Sequence, residues 1–176
     1  MLLNIFSPRK RNDEAEFRQL VEQNQRRLYW HLRRILNSHE DAEDVLQETF
    51  YKAYKSYSKF DGKCAVYTWL YRIATNEALR FMEKRGPEYE LLDNIGDNIR
   101  SENDDTDEQL NEQRILLQKA IRTLPEKQKL VFNLRFYDEM EYEQICEILS
   151  ISMSAAKTNF HLAKEKIKSY IQSQPL

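Results

Sequence analysis

The sequence predicts an all-α protein of two small helical domains joined by a flexible acidic linker, and three observations carry that prediction. Only 3 Gly and 4 Pro occur in 176 residues, which favours long helices over turn-rich sheets. Apolar residues recur at spacings of three and four through most of the chain, the period of an amphipathic helix. Charge is segregated: residues 1–85 carry 16 Lys and Arg against 12 Asp and Glu (+4), residues 86–113 carry 1 against 10 (−9), and residues 114–176 carry 10 against 7 (+3). The formal net charge of −2 therefore conceals two mildly basic bodies and an acidic strap. Basic bodies suit a polyanionic partner, whereas the strap would repel one.

The first domain spans residues 12–85. Phe17, Leu20, Val21, Leu28, Leu32, Ile35 and Leu36 give residues 12–37 one apolar stripe, and Asn37-Ser38 breaks it. A second helix begins near Glu40, with acids in its first turn where the helix dipole favours them. Its buried face is Ala42, Val45, Leu46, Thr49, Phe50, Ala53 and Tyr57. Residues 58–66 contain Gly62 and form a loop. A third helix follows from Tyr67 to Arg85, with Leu70, Ile73, Ala74, Ala78 and Phe81 as its core face; Gly86-Pro87 stops it. Three such helices close a small bundle.

Residues 86–113 form the linker. Ten acids and few large apolar residues cannot bury enough surface to offset chain entropy, and Leu91, Leu92 and Ile95 are its docking candidates. The second domain spans residues 114–172. Helicity resumes at Gln113 with Ile115, Leu116, Ala120, Ile121 and Leu124, and Pro125 fits the first turn of the next helix, which carries Leu130, Val131, Leu134 and Phe136. A short helix then places Ile145, Ile148 and Leu149 on one face. Ser150-Ile151-Ser152 breaks it, Ser152 serves as an N-cap, and a last helix carries Ala156, Phe160, Ala163 and Ile167. Two helices joined by a tight turn, the second rich in Lys and polar residues, make a helix-turn-helix whose second helix enters the major groove.

Three faces carry chemistry. On the second helix, Asp41, Asp44, Gln47 and Glu48 share an exposed side. It reads as a protein-docking surface, or as a solvated face complementing the helix dipole. On the third helix, Tyr67, Trp69 and Tyr71 crowd the start while Thr68, Arg72, Asn76 and Arg80 recur every four residues, beside a loop carrying Phe60 and Lys63. Unpaired bases stack on aromatic rings while Arg and Lys hold phosphates, and an Asn amide can read a base edge. The plain alternative is that Trp69 and some Tyr rings are core. On the last helix, Lys157, Thr158, His161 and Lys164 lie off the apolar seam. Ser154, Ala155, Lys157 and Thr158, in the first turns, are the base readers and later Lys residues meet phosphates, unless this is an ordinary exposed face.

Other classes are disfavoured. Cys64 and Cys146 are far apart and form no CxxC, so they read as reduced thiols, with Cys146 a core residue. His31, His39 and His161 lack metal-ligand spacing and read as surface or interface residues. No phosphate loop, GxGxxG, HExxH or GxSxG motif occurs, so neither metal, cofactor nor enzymatic activity is expected. No apolar run approaches the ~20 residues of a membrane span, and Met1–Phe6 is too short for a signal peptide, which predicts a cytoplasmic protein.

DAEDVLQETFYKAY (41–54), YTWLYRIATNEALRF (67–81) and the run from Leu124 to Ile167 together resemble the extracytoplasmic-function (ECF) group of bacterial RNA polymerase sigma factors, in that family's order and spacing over most of residues 14–170. The resemblance implies a region 2 domain, a linker and a region 4 helix-turn-helix domain. Asp41, Asp44, Gln47 and Glu48 would dock on core RNA polymerase. The Phe60–Val66 loop with Tyr67, Trp69, Arg72 and Asn76 would capture melted DNA of a minus-ten-type element, with Asn76 beside the pocket for a flipped base. Residues 154–164 would read a minus-thirty-five-type duplex, and the acidic strap would thread toward the polymerase active centre. It also implies an anti-sigma partner. Asn159 and Leu162 stand where relatives often have Arg, Ser150 where Gly is usual, and Glu141 where a capping Ser or Thr is common. The rival readings are a stand-alone helix-turn-helix regulator and a protein-binding adaptor. Two basic bodies flanking an acidic strap also predict a compact free form that hides the DNA faces.

Overall fold

The computed structural model describes the backbone of residues 8–36, 38–87, 89 and 108–174 and the side chains of residues 14–36, 38–87, 89 and 112–174. The described residues form seven helices and no strand: α1 Pro8–Ile35, α2 His39–Tyr57, α3 Val66–Arg85, α4 Glu108–Arg122, α5 Glu126–Phe136, α6 Tyr142–Leu149 and α7 Met153–Ser173. Boundaries follow local chemistry. The Ser38 hydroxyl accepts the Asp41 N–H at 3.0 Å and caps α2, satisfying a donor that has no partner within the helix. Gly86, at φ 80°, ends α3 in a conformation that glycine adopts without Cβ strain.

Three expectations shift. α1 begins at Pro8, before residue 12, because proline at a helix start loses no hydrogen bond. α4 begins at Glu108, five residues earlier than Gln113 and inside the predicted linker; the acids that mark this stretch as solvated also suit a helix N-terminus. Pro125 sits one position before α5, at φ −55° and ψ 146°. Leu91, Leu92 and Ile95 lie outside the described residues.

Helices α1–α3 pack on one another, and α4–α7 form a second bundle around α7. The two bundles also meet. α6 lies on α3, and α5 touches α1. One apolar core runs through both: Leu28, Leu32, Leu36, Leu70 and Ala74 from the first bundle cluster with Leu134, Met140, Ile145 and Ile148 from the second. Burying each such large apolar side chain contributes about 1.5–3 kcal/mol. A second cluster of Ala120, Ile121, Leu124, Phe132, Ala163 and Ile167 fills the interior of the α4–α7 bundle.

At the meeting of the bundles lies a buried polar cluster. Asp138, in the turn between α5 and α6, projects between α1 and α3. Its Oδ1 accepts from Arg34 Nη2 at 2.7 Å and from the Tyr71 hydroxyl at 3.1 Å, and its Oδ2 lies 3.1 Å from His31 Nδ1. His31 Nε2 lies 2.8 Å from Thr75 Oγ1. His31 is 0% exposed, so it is an interior residue of the interface between bundles and no part of the outer surface; His39 and His161 are exposed. Cys146, expected in the core, is half-buried.

Candidate nucleic-acid interface

The helix-turn-helix is α6, the turn at residues 150–152 and α7. Ser150 ends α6 in the left-handed conformation (φ 53°, ψ 47°), which costs a residue with a Cβ. Gln144 Oε1 accepts the Glu141 N–H at 2.8 Å, so the first turn of α6 is held although position 141 carries no hydroxyl. The Ser152 hydroxyl accepts the Ala155 N–H at 3.1 Å and starts α7, as expected of an N-cap. α7 buries Ala156, Ala163 and Ile167. Phe160 is half-buried and stacks on Phe132 with centroids 5.9 Å apart. Ser154, Lys157, Thr158, His161 and Lys164 are exposed, and Ala155 is half-buried. The Lys157 ammonium leans over the Tyr142 ring at 5.8 Å and that of Lys164 over Phe160 at 5.0 Å. Asn159 turns its amide back onto the Ala155 carbonyl at 2.8 Å.

α3 divides into two faces. Arg72, Asn76 and Arg80 are exposed along one side at four-residue spacing, as a groove for a polyanion requires. Arg80 is tied to Glu77 at 2.7 Å, and the same carboxylate holds Lys52 at 2.5 Å. Hydrogen bonding to Glu77, set against partial desolvation, raises the Lys52 ammonium above its ordinary value. The fourth member of the polar stripe, Thr68, is buried. Trp69 is only 7% exposed, with Phe60 at 5.0 Å and Tyr57 at 6.4 Å between centroids. Its ring is therefore part of the bundle core, and Phe60 is half-buried against it. Tyr67 is half-buried, and its hydroxyl receives the Gln144 side-chain amide. In the preceding loop, Asp61 accepts the Lys63 N–H at 3.1 Å and pairs with its ammonium at 2.8 Å, with Gly62 at φ 71° between them. The pair lowers the Asp61 carboxyl and raises the exposed Lys63.

On α2, Asp44, Gln47 and Glu48 are exposed. Asp41 is half-buried and accepts the Tyr89 hydroxyl at 2.7 Å, with Arg85 at 3.5 Å. It therefore pins the chain beyond α3 to the start of α2. Sequence reasoning missed Tyr89, which packs against Phe81 at 5.7 Å, because an isolated aromatic after a Gly-Pro stop has no periodic partner. It also missed Tyr51 and Tyr54, which are about half exposed and continue α2 beyond its acids. Their spacing from Glu48, three and six residues, was available as a signal.

Among the described residues no group of His, Cys, Asp and Glu is placed to hold a metal ion, and no helix is long and apolar enough to cross a membrane. A helix-turn-helix with an open polar face, beside a bundle presenting a cationic stripe, defines a helical nucleic-acid-binding protein of two bodies. Comparison with known proteins narrows the class. Residues 20–88 match the family model of Sigma-70 region 2, and residues 114–167 that of Sigma-70, region 4. The chain is 33% identical over 174 residues to the ECF RNA polymerase sigma-E factor of Haemophilus influenzae, covering 93% of this chain and 91% of that protein. It is 29% identical over 176 residues to the ECF RNA polymerase sigma factor SigW of Bacillus subtilis, covering 93% and 92%. In fold it resembles the sigma factor RpoE of Bartonella quintana, solved with the anti-sigma factor NepR (TM-score 0.70, 23% identity, 91% of this chain and 99% of that one). It also resembles CnrH, solved with the cytosolic domain of CnrY (TM-score 0.69, 20% identity, 92% and 91%). The chain belongs to the ECF sigma factor family.

Proposed function

We propose that this protein binds core RNA polymerase, directs it to specific promoters and promotes strand opening, without chemistry of its own. The observation that supports this reading is the pairing of two different exposed polar faces, on α7 and on α3, in one chain. α7 offers Ser154, Ala155, Lys157, Thr158, His161 and Lys164 to a duplex. α3 and its preceding loop offer Lys63, Arg72, Asn76 and Arg80 to a strand, with half-buried Phe60 and Tyr67 beside them and the buried Trp69 beneath as core support. Duplex reading needs side chains at the start of a helix in the major groove. Strand capture needs cations and an amide beside stacking rings. Asp44, Gln47 and Glu48 form the polymerase-docking face, with Asp41 as its structural root. Residues 12–85 serve strand capture and polymerase binding and 114–172 duplex reading, with the acidic stretch 86–113 joining them, although its last residues already belong to α4. The protein acts in the cytoplasm, and its relatives' solved complexes support an anti-sigma partner. Run-off transcription with core polymerase and a library of promoter fragments tests the reading. Chain-dependent initiation at a shared two-block motif is expected. Tight duplex binding by the chain alone, with no effect on initiation, would place it among stand-alone regulators instead.

A further inference from the structure

The two surfaces just described are not independent in this structure. α6, the first helix of the helix-turn-helix, lies on α3, and its Gln144 is bonded to Tyr67 at the start of the strand-capturing helix. The start of α3 is thus shared between the first bundle and the helix-turn-helix.

The contact has a specific polar centre. Asp138 is nearly fully buried, and its carboxylate gathers Arg34 and His31 from α1 and Tyr71 from α3. Its own backbone carbonyl lies 3.4 Å from the Arg27 guanidinium. The Asp138 N–H bonds the Asn133 carbonyl at 3.2 Å, and the following Glu139 adopts φ 54°, so the turn that aims Asp138 is fixed from within α5. His31 is held from both sides, by Asp138 and by Thr75, and the Thr75 hydroxyl reaches the Tyr71 carbonyl at 2.8 Å. Every member of this cluster except Asp138 belongs to the first bundle. Removing one partner of a buried charge pair leaves the other uncompensated, which is strongly destabilising to the contact that buries it.

We propose that the 137–139 turn is an interdomain latch: Asp138, docked between α1 and α3, holds the helix-turn-helix bundle over the start of α3, and this closed form competes with a melted DNA strand at Tyr67, whose hydroxyl Gln144 occupies, while Arg72, Asn76 and Arg80 stay exposed. A chain whose binding-competent form is a minor population binds more weakly by that fraction. Releasing the latch tightens strand binding without adding a contact to DNA. The competition part rests on α3 being the strand-capturing face; the latch itself does not.

The test compares the full-length wild type with Asp138→Ala and the isosteric Asp138→Asn. Small-angle scattering reads closure. Fluorescence anisotropy reads binding of a labelled mixed-sequence single-stranded DNA, and circular dichroism checks helicity. The wild type should give a radius of gyration near the ~16 Å of a compact chain this long. Both variants should keep their helicity, expand by several ångströms and bind the strand about tenfold more tightly. If Asp138→Ala loses its helicity, Asp138→Asn alone decides. An extended wild type, or folded variants that stay compact, would overturn the latch. Expansion without tighter strand binding would overturn the competition. Adding Arg72→Ala to the opened chain then shows whether α3 binds the strand at all, separating failure of the competition from failure of the α3 reading.

Discussion

Asp138 is a carboxylate that burial pushes up, yet its hydrogen bond to His31 and the charges of His31 and Arg34 outweigh burial and hold it below the ordinary 3.8. Beside it, burial and the same carboxylate drive the Tyr71 phenol well above its ordinary value. A group depressed in the folded state contributes stability above its unfolded pKa, and that contribution is lost as pH falls through the folded value. The melting temperature of wild type should therefore exceed that of Asp138→Asn near neutrality. The gap should shrink as the pH falls below the ordinary carboxylate range, read by circular dichroism melts. A gap that stays constant through that fall would contradict the assignment. Nothing in the sequence distinguished Asp138 from its acidic neighbours Glu139 and Glu141. Its partners lie 104 and 107 residues away, and no local period reports such a pairing. Trp69 is the converse case. Its residue type and place on α3 suit base stacking, but the helix turns the ring inward onto Phe60 and Tyr57. Trp69→Ala should cost about 3–5 kcal/mol of stability in denaturant titrations, so its effect on initiation must be judged against that loss.

The helices were largely legible because each is amphipathic at one period, and the N-cap at Ser152 and the stop at Gly86 are local chemistry that sequence states directly. What escaped was set by neighbours. The start of α4 lies within a run of acids, and burial on α3 extends past the predicted stripe to Trp69, Tyr71 and Thr75, because Trp69 packs on Tyr57 and Phe60 while Tyr71 and Thr75 meet His31 of α1 and Tyr71 also meets Asp138. The break between α6 and α7 offers a clean test of local strain. Ser150 holds a left-handed conformation without glycine's freedom, so Ser150→Gly should stabilise the fold by about 1 kcal/mol, seen as a higher urea midpoint. An unchanged or lower midpoint would mean that the turn is not strained. On α7, Lys157 is exposed at the helix start. Lys157→Ala should weaken duplex binding by the polymerase complex. If Lys157 meets a phosphate, the slope of log affinity against log salt should fall by about 1; an unchanged slope with altered sequence preference would make it a base reader.

Across the whole molecule, charge segregation in the sequence marks two basic bodies, and the shared core of Leu70, Leu134, Met140 and Ile145 brings the two bundles together. Neither the core nor its buried ion cluster follows from composition, since both depend on how bundles dock. The proposed division of labour has α7 reading duplex and α3 holding a strand. Permanganate footprinting of a promoter found by run-off transcription tests this most directly, comparing wild type with Asn76→Ala. Wild type should make thymines at the upstream edge of the transcription bubble reactive, and the variant should lose that reactivity while still binding core polymerase. Equal reactivity with both proteins would contradict the assignment of strand capture to this face of α3.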